Sequence, residues 1–253
     1  MSSTVLVTGG TGNLGRHTVP LLSARGCGVR ILTRHPRTAA DGVEYAGGDT
    51  VAGDGLAEAM EGMDVVLHLA GGPKGDDVAT RNVAEAARAA GVGHLLLISV
   101  IGADAVPIGY FRRKAESERI LADSGVPWTV LRAAQFHEFA HGMVRGIAKL
   151  PVVPVLKDVR LEPVAVQDVA ARLAELTVGP PQGLVADLAG PEVLPLETLI
   201  DDLPGRRRPH LRIAVPGAVG HAYRSEANLA GPEATRGTGT WREYLAALPA
   251  AAA

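Results

Sequence analysis

The sequence predicts an α/β fold, a doubly wound parallel sheet with a small C-terminal lobe. Three observations predict it. Short β-branched runs alternate with helical patterns along the first two thirds of the chain. A glycine-rich turn stands between the first strand and the first helix. The run VVLHLA at 65–70 is almost continuously apolar, as a parallel strand covered on both faces requires.

The elements follow in order. TVLVT at 4–8 is a strand that ends in glycines. Residues 14–24 carry Leu14, Val19, Leu21 and Leu22 at helical spacing and stop at Gly26, with Pro20 an awkward interior residue that bends the first turns. Strands at 29–33 and 43–45 precede a short helix at 56–60, and the strand at 65–70 comes next. Residues 76–90 are alanine-rich, with Val78, Val83 and Ala87 on one face, and Gly91 ends that helix. A strand at 94–100, a helix at 114–122 and a strand at 128–132 complete the alternation, which implies right-handed crossovers with helices on both faces of the sheet. Beyond Ala134 the pattern loosens: a helix at 136–150, a proline-rich loop and edge strand at 151–163, a helix at 169–178 and a strand at 184–188. The reading is a single domain over 1–253, with its core at 1–134 and most of the lobe at 135–163 and 191–253.

Composition narrows the function. The 253 residues are 47% hydrophobic and 21% charged, the profile of an ordinary globule. The net charge of -2 argues against nucleic acid as a partner, and the one basic run, Arg206-Arg207-Arg208, reads as a solvated loop. Cys27 is the single cysteine, so no intrachain disulfide framework or cysteine-rich zinc site is expected, and a reducing cytoplasm fits. No signal peptide pattern opens the chain and no run of about eighteen apolar residues exists, so neither export nor a membrane span is expected. The partner expected is a small-molecule substrate, and the expected state is a monomer or homodimer. His137 and His141 stand four apart on one helix face without a cysteine or a glutamate in metalloprotease order, and no metal site is expected. With Phe136, Phe139 and Met143 they read either as lining for an apolar substrate, Phe136 and His137 first among them, or as a core stripe.

The glycine turn carries the chemistry. Gly9, Gly12 and Gly15 recur every third residue between strand and helix. The first permits a tight turn, the second lets backbone approach a pyrophosphate, and the third lets the helix pack closely on the sheet. Gly9, Thr11, Gly12, Asn13, Leu14 and Gly15 then form a phosphate cradle at a helix N-terminus, and the fold expected is of the Rossmann type. The end of the second strand selects the nucleotide. It reads Thr33-Arg34-His35-Pro36-Arg37, with no carboxylate before Asp41. A guanidinium at Arg34, with Arg16 and Arg37 nearby, favours the 2′-phosphate of NADP(H) over the ribose hydroxyls of NAD(H).

The pattern Thr8-Gly9-x-Thr11-Gly12-x-x-Gly15 resembles the atypical and extended short-chain dehydrogenase/reductases. Gly48-Asp49, His68-Leu69-Ala70-Gly71-Gly72, the run SGVPWTVLR at 124–132, Gln135-Phe136 and Val166-Gln167-Asp168-Val169-Ala170 make the resemblance that of the NmrA-like, NAD(P)-binding branch, over roughly residues 4 to 190. The resemblance implies that Asp49 and Thr50 lie by the adenine, that Ala70 and Gly71 line the cofactor beside the adenine ribose, and that Arg132 to Gln135 pass the nicotinamide end. Tyr110 and Lys114 have the Tyr-x-x-x-Lys spacing of these enzymes. Tyr110 is the candidate acid, since a carbonyl that takes hydride also takes a proton. Lys114, one helical turn on, would stabilise the phenolate, and by resemblance would hold the nicotinamide ribose. Ser99, at the end of the fifth strand, is the third candidate: either it fills the family's serine role or no residue does. The activity expected is NADPH-dependent hydride transfer to a carbonyl, quinone or conjugated double bond of a small, largely apolar molecule. The alternatives are a regulator that binds NADP without turnover and a nucleotide-sugar epimerase or dehydratase.

Overall fold

The computed structural model describes residues 3–35, 38–39, 42–72, 74–205 and 208–249. In chain order its elements are β1 (Thr4–Thr8), α1 (Gly15–Ala24), β2 (Gly28–Thr33), β3 (Val43–Gly47), α2 (Leu56–Met60), β4 (Val65–His68), α3 (Asp76–Ala89), β5 (His94–Val100), α4 (Gly109–Ala122) and β6 (Trp128–Ala133). There follow α5 (His137–Ala148), β7 (Val153–Leu156), β8 (Arg160–Leu161), α6 (Val166–Val178), β9 (Gly183–Leu184), β10 (Leu188–Ala189), β11 (Leu194–Pro195), α7 (Leu196–Asp201), β12 (His210–Ile213), α8 (Gly217–Arg224), β13 (Thr235–Arg236) and α9 (Trp241–Ala246). The chain divides into two compact units, one of residues 1–99, 112–131 and 169–185, the other of 100–111, 132–168 and 186–253.

The first unit is a parallel sheet in the order β3-β2-β1-β4-β5-β6, with β9 on the outer side of β6. β1 lies between β2 and β4, with Thr4 opposite Gly28 and Val5 opposite Val65. The strand order therefore reverses at β1 and β4, the switch point where a doubly wound sheet opens a crevice at its carboxyl ends. Every residue of β4 is buried, as its apolar run predicts. Leu6, Val66, Leu95 and Val130 from the strands meet Met60, Val83, Ala87 and Leu121 from the helices in one core. Each of the valine, leucine and methionine side chains contributes about 1.5–3 kcal/mol on burial. α3 opens behind Gly75, whose φ of 81° suits glycine, and carries Asp76 and Asp77 in its first turn, where carboxylates complement the helix dipole.

The second unit has its own core, in which α5, α7 and α9 pack Ala140, Val144, Leu199 and Trp241 against Val153, Val155 and Leu161. β7 pairs in parallel with β12, β8 pairs antiparallel with β11, and Leu188 of β10 pairs with Ala133 and with Thr235 of β13. Glu162 is buried and accepts hydrogen bonds from Arg236, at 2.5 Å, and from the backbone N–H of Ala230, at 2.6 Å.

Two elements differ most from expectation. α4 starts at Gly109 rather than at 114, so Tyr110 lies on the helix. Its buried residues are Phe111, Lys114, Ser117, Ile120 and Leu121, and the lysine and serine in that stripe mask the apolar period at the start of the helix. The strand expected at 184–188 is two short strands, β9 and β10, because the chain leaves β6 after Leu184 and rejoins the sheet at Leu188. α1 runs through Pro20 to Ala24, over the residues expected of it. Of the arginine run, Arg206 and Arg207 lie outside the described residues, while Arg208 donates to the carbonyl oxygens of Lys149 and Leu150 and so ties down a loop. Among the described residues no helix is long and apolar enough to cross a membrane.

Candidate active site

The glycine turn sits at the carboxyl end of β1. Gly9 has φ 70°, and a Cβ there would lie 2.6 Å from the backbone nitrogen of Ala70, so β1 and the segment after β4 approach each other through glycine. A Cβ on Gly15 would lie 2.4 Å from the carbonyl oxygen of Gly9, so α1 begins against its own turn. Thr11 and Gly12 are exposed at the tip and Asn13 is half-buried, while the Leu14 side chain is buried, leaving its backbone as the part that a phosphate could meet. Asn13 Oδ1 accepts a 2.5 Å bond from Arg16. No side chain caps the N-terminus of α1, whose backbone N–H groups and positive dipole end suit an anion. This cradle fits the pyrophosphate of a dinucleotide.

Arg34 follows β2 and is exposed, and Arg37 and Asp41 lie outside the described residues. Asp49 closes a tight turn: its Oδ1 accepts from the backbone of Val51 at 2.8 Å and of Ala52 at 3.2 Å. Those bonds, with a smaller contribution from the charge of Arg34, hold its carboxyl below the usual range. Asn82 of α3 donates to the carbonyl oxygens of Thr50 and Val51 and fixes the loop.

The segment after β4 is tied to β1 and to α3. Ala70 N–H donates to Thr8 Oγ1 at 3.2 Å, and Gly72 N–H donates to Asp76 Oδ1 at 2.6 Å. Asp76 Oδ2 lies 2.8 Å from Lys114 Nζ, with both side chains buried, and Lys114 also donates to the carbonyl oxygen of Ile98 at 3.4 Å. A Cβ on Gly71 would lie 3.3 Å from that ammonium. Lys114 is thus an interior cation directly beneath Gly71. His68 Nδ1 is 2.7 Å from Thr8 Oγ1, and burial, reinforced by the Lys114 charge, lowers its pKa to about 4. His68 is the satisfied core histidine that its strand predicts.

That neutral His68 has a measurable consequence. Its folded pKa lies below its unfolded value near 6.5, so the unfolded chain binds more protons between the two. The stability it contributes is complete above about pH 6.5 and is lost as pH falls towards 4. His94, also lowered to about 4 by burial, adds to the same slope. Urea midpoints are expected to fall steadily from pH 7 to pH 4.5, and a flat profile across that window would show that neither imidazole is held neutral.

Ser99 is buried and donates to Glu118 Oε1 at 2.5 Å, which ties β5 to α4 and occupies its one hydroxyl proton. In the other unit, Tyr110 is 39% exposed, its ring edge-on to Phe111 with centroids 5.6 Å apart. Arg132 there pairs with Asp104 through two bonds of 3.1 and 3.2 Å. Phe136 is half-buried and precedes α5. His137 was expected to face substrate, but the structure places it inside its unit, 2% exposed, bonded through Nε2 to the carbonyl oxygen of Pro163. It packs in tilted contact with Tyr244 and Trp241 of α9, at centroid distances of 5.2 and 6.1 Å. The reason is that α9 closes over the buried face of α5, and the sequence at 136–141 carries no trace of that partner. Phe139 and Met143, on the same helix, are exposed. Burial raises the Cys27 thiol pKa, the reverse of what a reactive thiolate needs.

Asp76 and Glu118 are the residues that the sequence reading missed. Asp76 reads as an ordinary first-turn carboxylate, and nothing local links it to a lysine thirty-eight residues away.

A glycine cradle at an uncapped helix N-terminus, placed at the switch point of a parallel sheet, defines a dinucleotide-binding protein of the Rossmann class. The chain belongs to the NAD(P)H-binding family, whose model matches residues 9–178, and the resemblance to the NmrA-like branch of the short-chain dehydrogenase/reductases is borne out. It is similar to a (4-alkanoyl-5-oxo-2,5-dihydrofuran-3-yl)methyl phosphate reductase of Streptomyces griseus, 36% identical over 200 residues that cover 75% of this chain and 69% of that one. It is also similar to quinone oxidoreductase 2 of Escherichia coli, 30% identical over 53% of this chain and 49% of that one. A solved NADPH-dependent quinone oxidoreductase of Escherichia coli in complex with NADPH matches with a TM-score of 0.79, at 23% identity over 96% of this chain and 98% of that chain. At that identity the likeness shows the fold.

Proposed function

We propose that this chain is an NADPH-dependent reductase that passes hydride to a carbonyl, quinone or conjugated double bond of a small, largely apolar molecule. The observation that carries the reading is the cradle at the β1–β4 switch point, with the buried Lys114 ammonium beneath Gly71. The names of the relatives support reduction, and the dihydrofuran named for the Streptomyces griseus relative, which bears an oxo and an alkanoyl group, supports an unsaturated ring as the acceptor. The exposed Phe139 and Met143 of α5 support an apolar partner.

In this reading Gly9, Thr11, Gly12, Asn13, Leu14 and Gly15 hold the pyrophosphate and Arg34 the 2′-phosphate. Asp49 and Thr50 border the adenine, Ala70 and Gly71 line the cofactor, and Lys114 holds the nicotinamide ribose. NADPH supplies the hydride. Tyr110 donates its phenolic proton to the substrate oxygen as that oxygen takes up the electron pair, and it is reprotonated by solvent. Ser99 orients the oxygen only on turning away from Glu118. Phe136 contacts the substrate, and His137 supports α5 from within.

Titration with NADPH and NADH tests the cofactor assignment. Arg34→Ala is expected to weaken NADPH binding by about 10- to 100-fold, the equivalent of a charge-assisted bond, with NADH unchanged. Equal effects on the two nucleotides would remove Arg34 from the 2′-phosphate. A regulator that binds NADP without turnover is the second reading. It is favoured by the engagement of Ser99 with Glu118, and it predicts tight NADPH binding with no oxidation across a panel of quinones and enones.

A further inference from the structure

We propose that Asp76 is the positioning residue for the nicotinamide end of the cofactor: it holds the Lys114 ammonium beneath Gly71 and, through the same carboxylate, sets the backbone of Gly72. The role rests on the NADPH reading above. Four observations carry it. The pair is 2.8 Å apart, with side chains only 7% and 5% exposed. The second carboxylate oxygen accepts from Gly72 N–H at 2.6 Å, so one side chain grips both the lysine and the loop that borders it. A Cβ on Gly71 would fall 3.3 Å from Lys114 Nζ and 3.5 Å from Asp76 Oδ2, so glycine is what lets this loop lie over the pair. Lys114 also donates to the carbonyl oxygen of Ile98 on β5, and its charge reaches His68 on β4, whose imidazole is neutral at pH 7 and supplies no opposing charge.

The physical argument is one of preorganisation. A lysine has four rotatable bonds and three donors, so it presents a fixed donor to a ribose only when something holds it. A buried carboxylate does so through a charge-assisted bond and offsets the desolvation of the ammonium. An asparagine at 76 retains an acceptor for Gly72 N–H and so keeps the loop, whereas loss of the charge falls on Lys114 and on the end of the nucleotide that Lys114 holds.

The test compares two ligands by calorimetry. NADPH carries the nicotinamide ribose, and adenosine 2′,5′-bisphosphate lacks it. Asp76→Asn keeps the shape and an acceptor for Gly72 but removes the charge. It is expected to weaken NADPH by about tenfold and to leave adenosine 2′,5′-bisphosphate within about twofold. In the Lys114→Met background the same change is expected to add nothing to the NADPH loss. Equal loss of both ligands would assign Asp76 a merely structural role, and NADPH binding that is unchanged or tighter would likewise overturn the proposal. If Asp76→Asn does not fold, Asp76→Glu, which moves the charge by one methylene, carries the same comparison with the same outcomes. Wild-type protein that binds neither ligand would overturn the cofactor reading and this role with it. Binding of both by the wild type with no selective loss in the variant would overturn this role alone.

Discussion

Tyr110→Phe is expected to lower kcat by about 10²- to 10⁴-fold, the usual contribution of a positioned general acid, while the NADPH dissociation constant stays within about twofold. The exchange removes one oxygen from a side chain that is 39% exposed, so it opens no large cavity in the core. Its edge-on packing against Phe111 survives, because the ring is retained. The loss therefore reports proton donation rather than folding. Single-turnover oxidation of bound NADPH by a quinone or an enone is the measurement. A variant as fast as the wild type would transfer the proton to water or to another group and would leave the Tyr-x-x-x-Lys spacing without a catalytic meaning here.

Lys114→Met is expected to lower the unfolding free energy by about 3–5 kcal/mol, a large share of the roughly 5–15 kcal/mol that holds a domain together. Methionine fills nearly the same volume, so the loss arises from the Asp76 charge left buried without its counter-charge. The double variant Asp76→Asn/Lys114→Met removes both charges and is expected to recover most of that loss, since a buried pair replaced as a whole is often nearly neutral. Urea unfolding of the four proteins, without nucleotide, measures the coupling directly. A single Lys114→Met variant as stable as the wild type would show that solvent reaches Asp76 and that the pair is not interior.

These two expectations differ in how far each was legible from the sequence. The Tyr110–Lys114 spacing is read in one dimension, because a helix brings residues four apart to the same side. That Lys114 is buried and ion-paired is not, because its partner lies on α3 and the sheet brings the two helices together. The start of α4 was misjudged for the same reason. Its buried stripe contains a lysine matched by Asp76 and is followed one turn later by a glutamate that receives the Ser99 hydroxyl, so polarity along the sequence concealed interior positions. His137 shows the converse error. An imidazole among apolar residues suggested a substrate face, and α9, a hundred residues on, supplies the stacking rings that make it interior.

What the sequence by itself determined is the parallel sheet, the cradle and the nucleotide it suits. Those properties are local: a positive φ at Gly9, the absence of a side chain at Gly15, a run of apolar residues in β4 and a cation in place of a carboxylate after β2 each act within a few residues. What only the tertiary structure decided is which polar groups lie inside and what each is paired with. Lys114 with Asp76, Ser99 with Glu118 and His137 with Pro163 are contacts between different elements or loops, beyond the reach of any local pattern. Burying such groups is unfavourable unless a partner is supplied, and the partner is set by how helices pack on strands, which no single segment encodes.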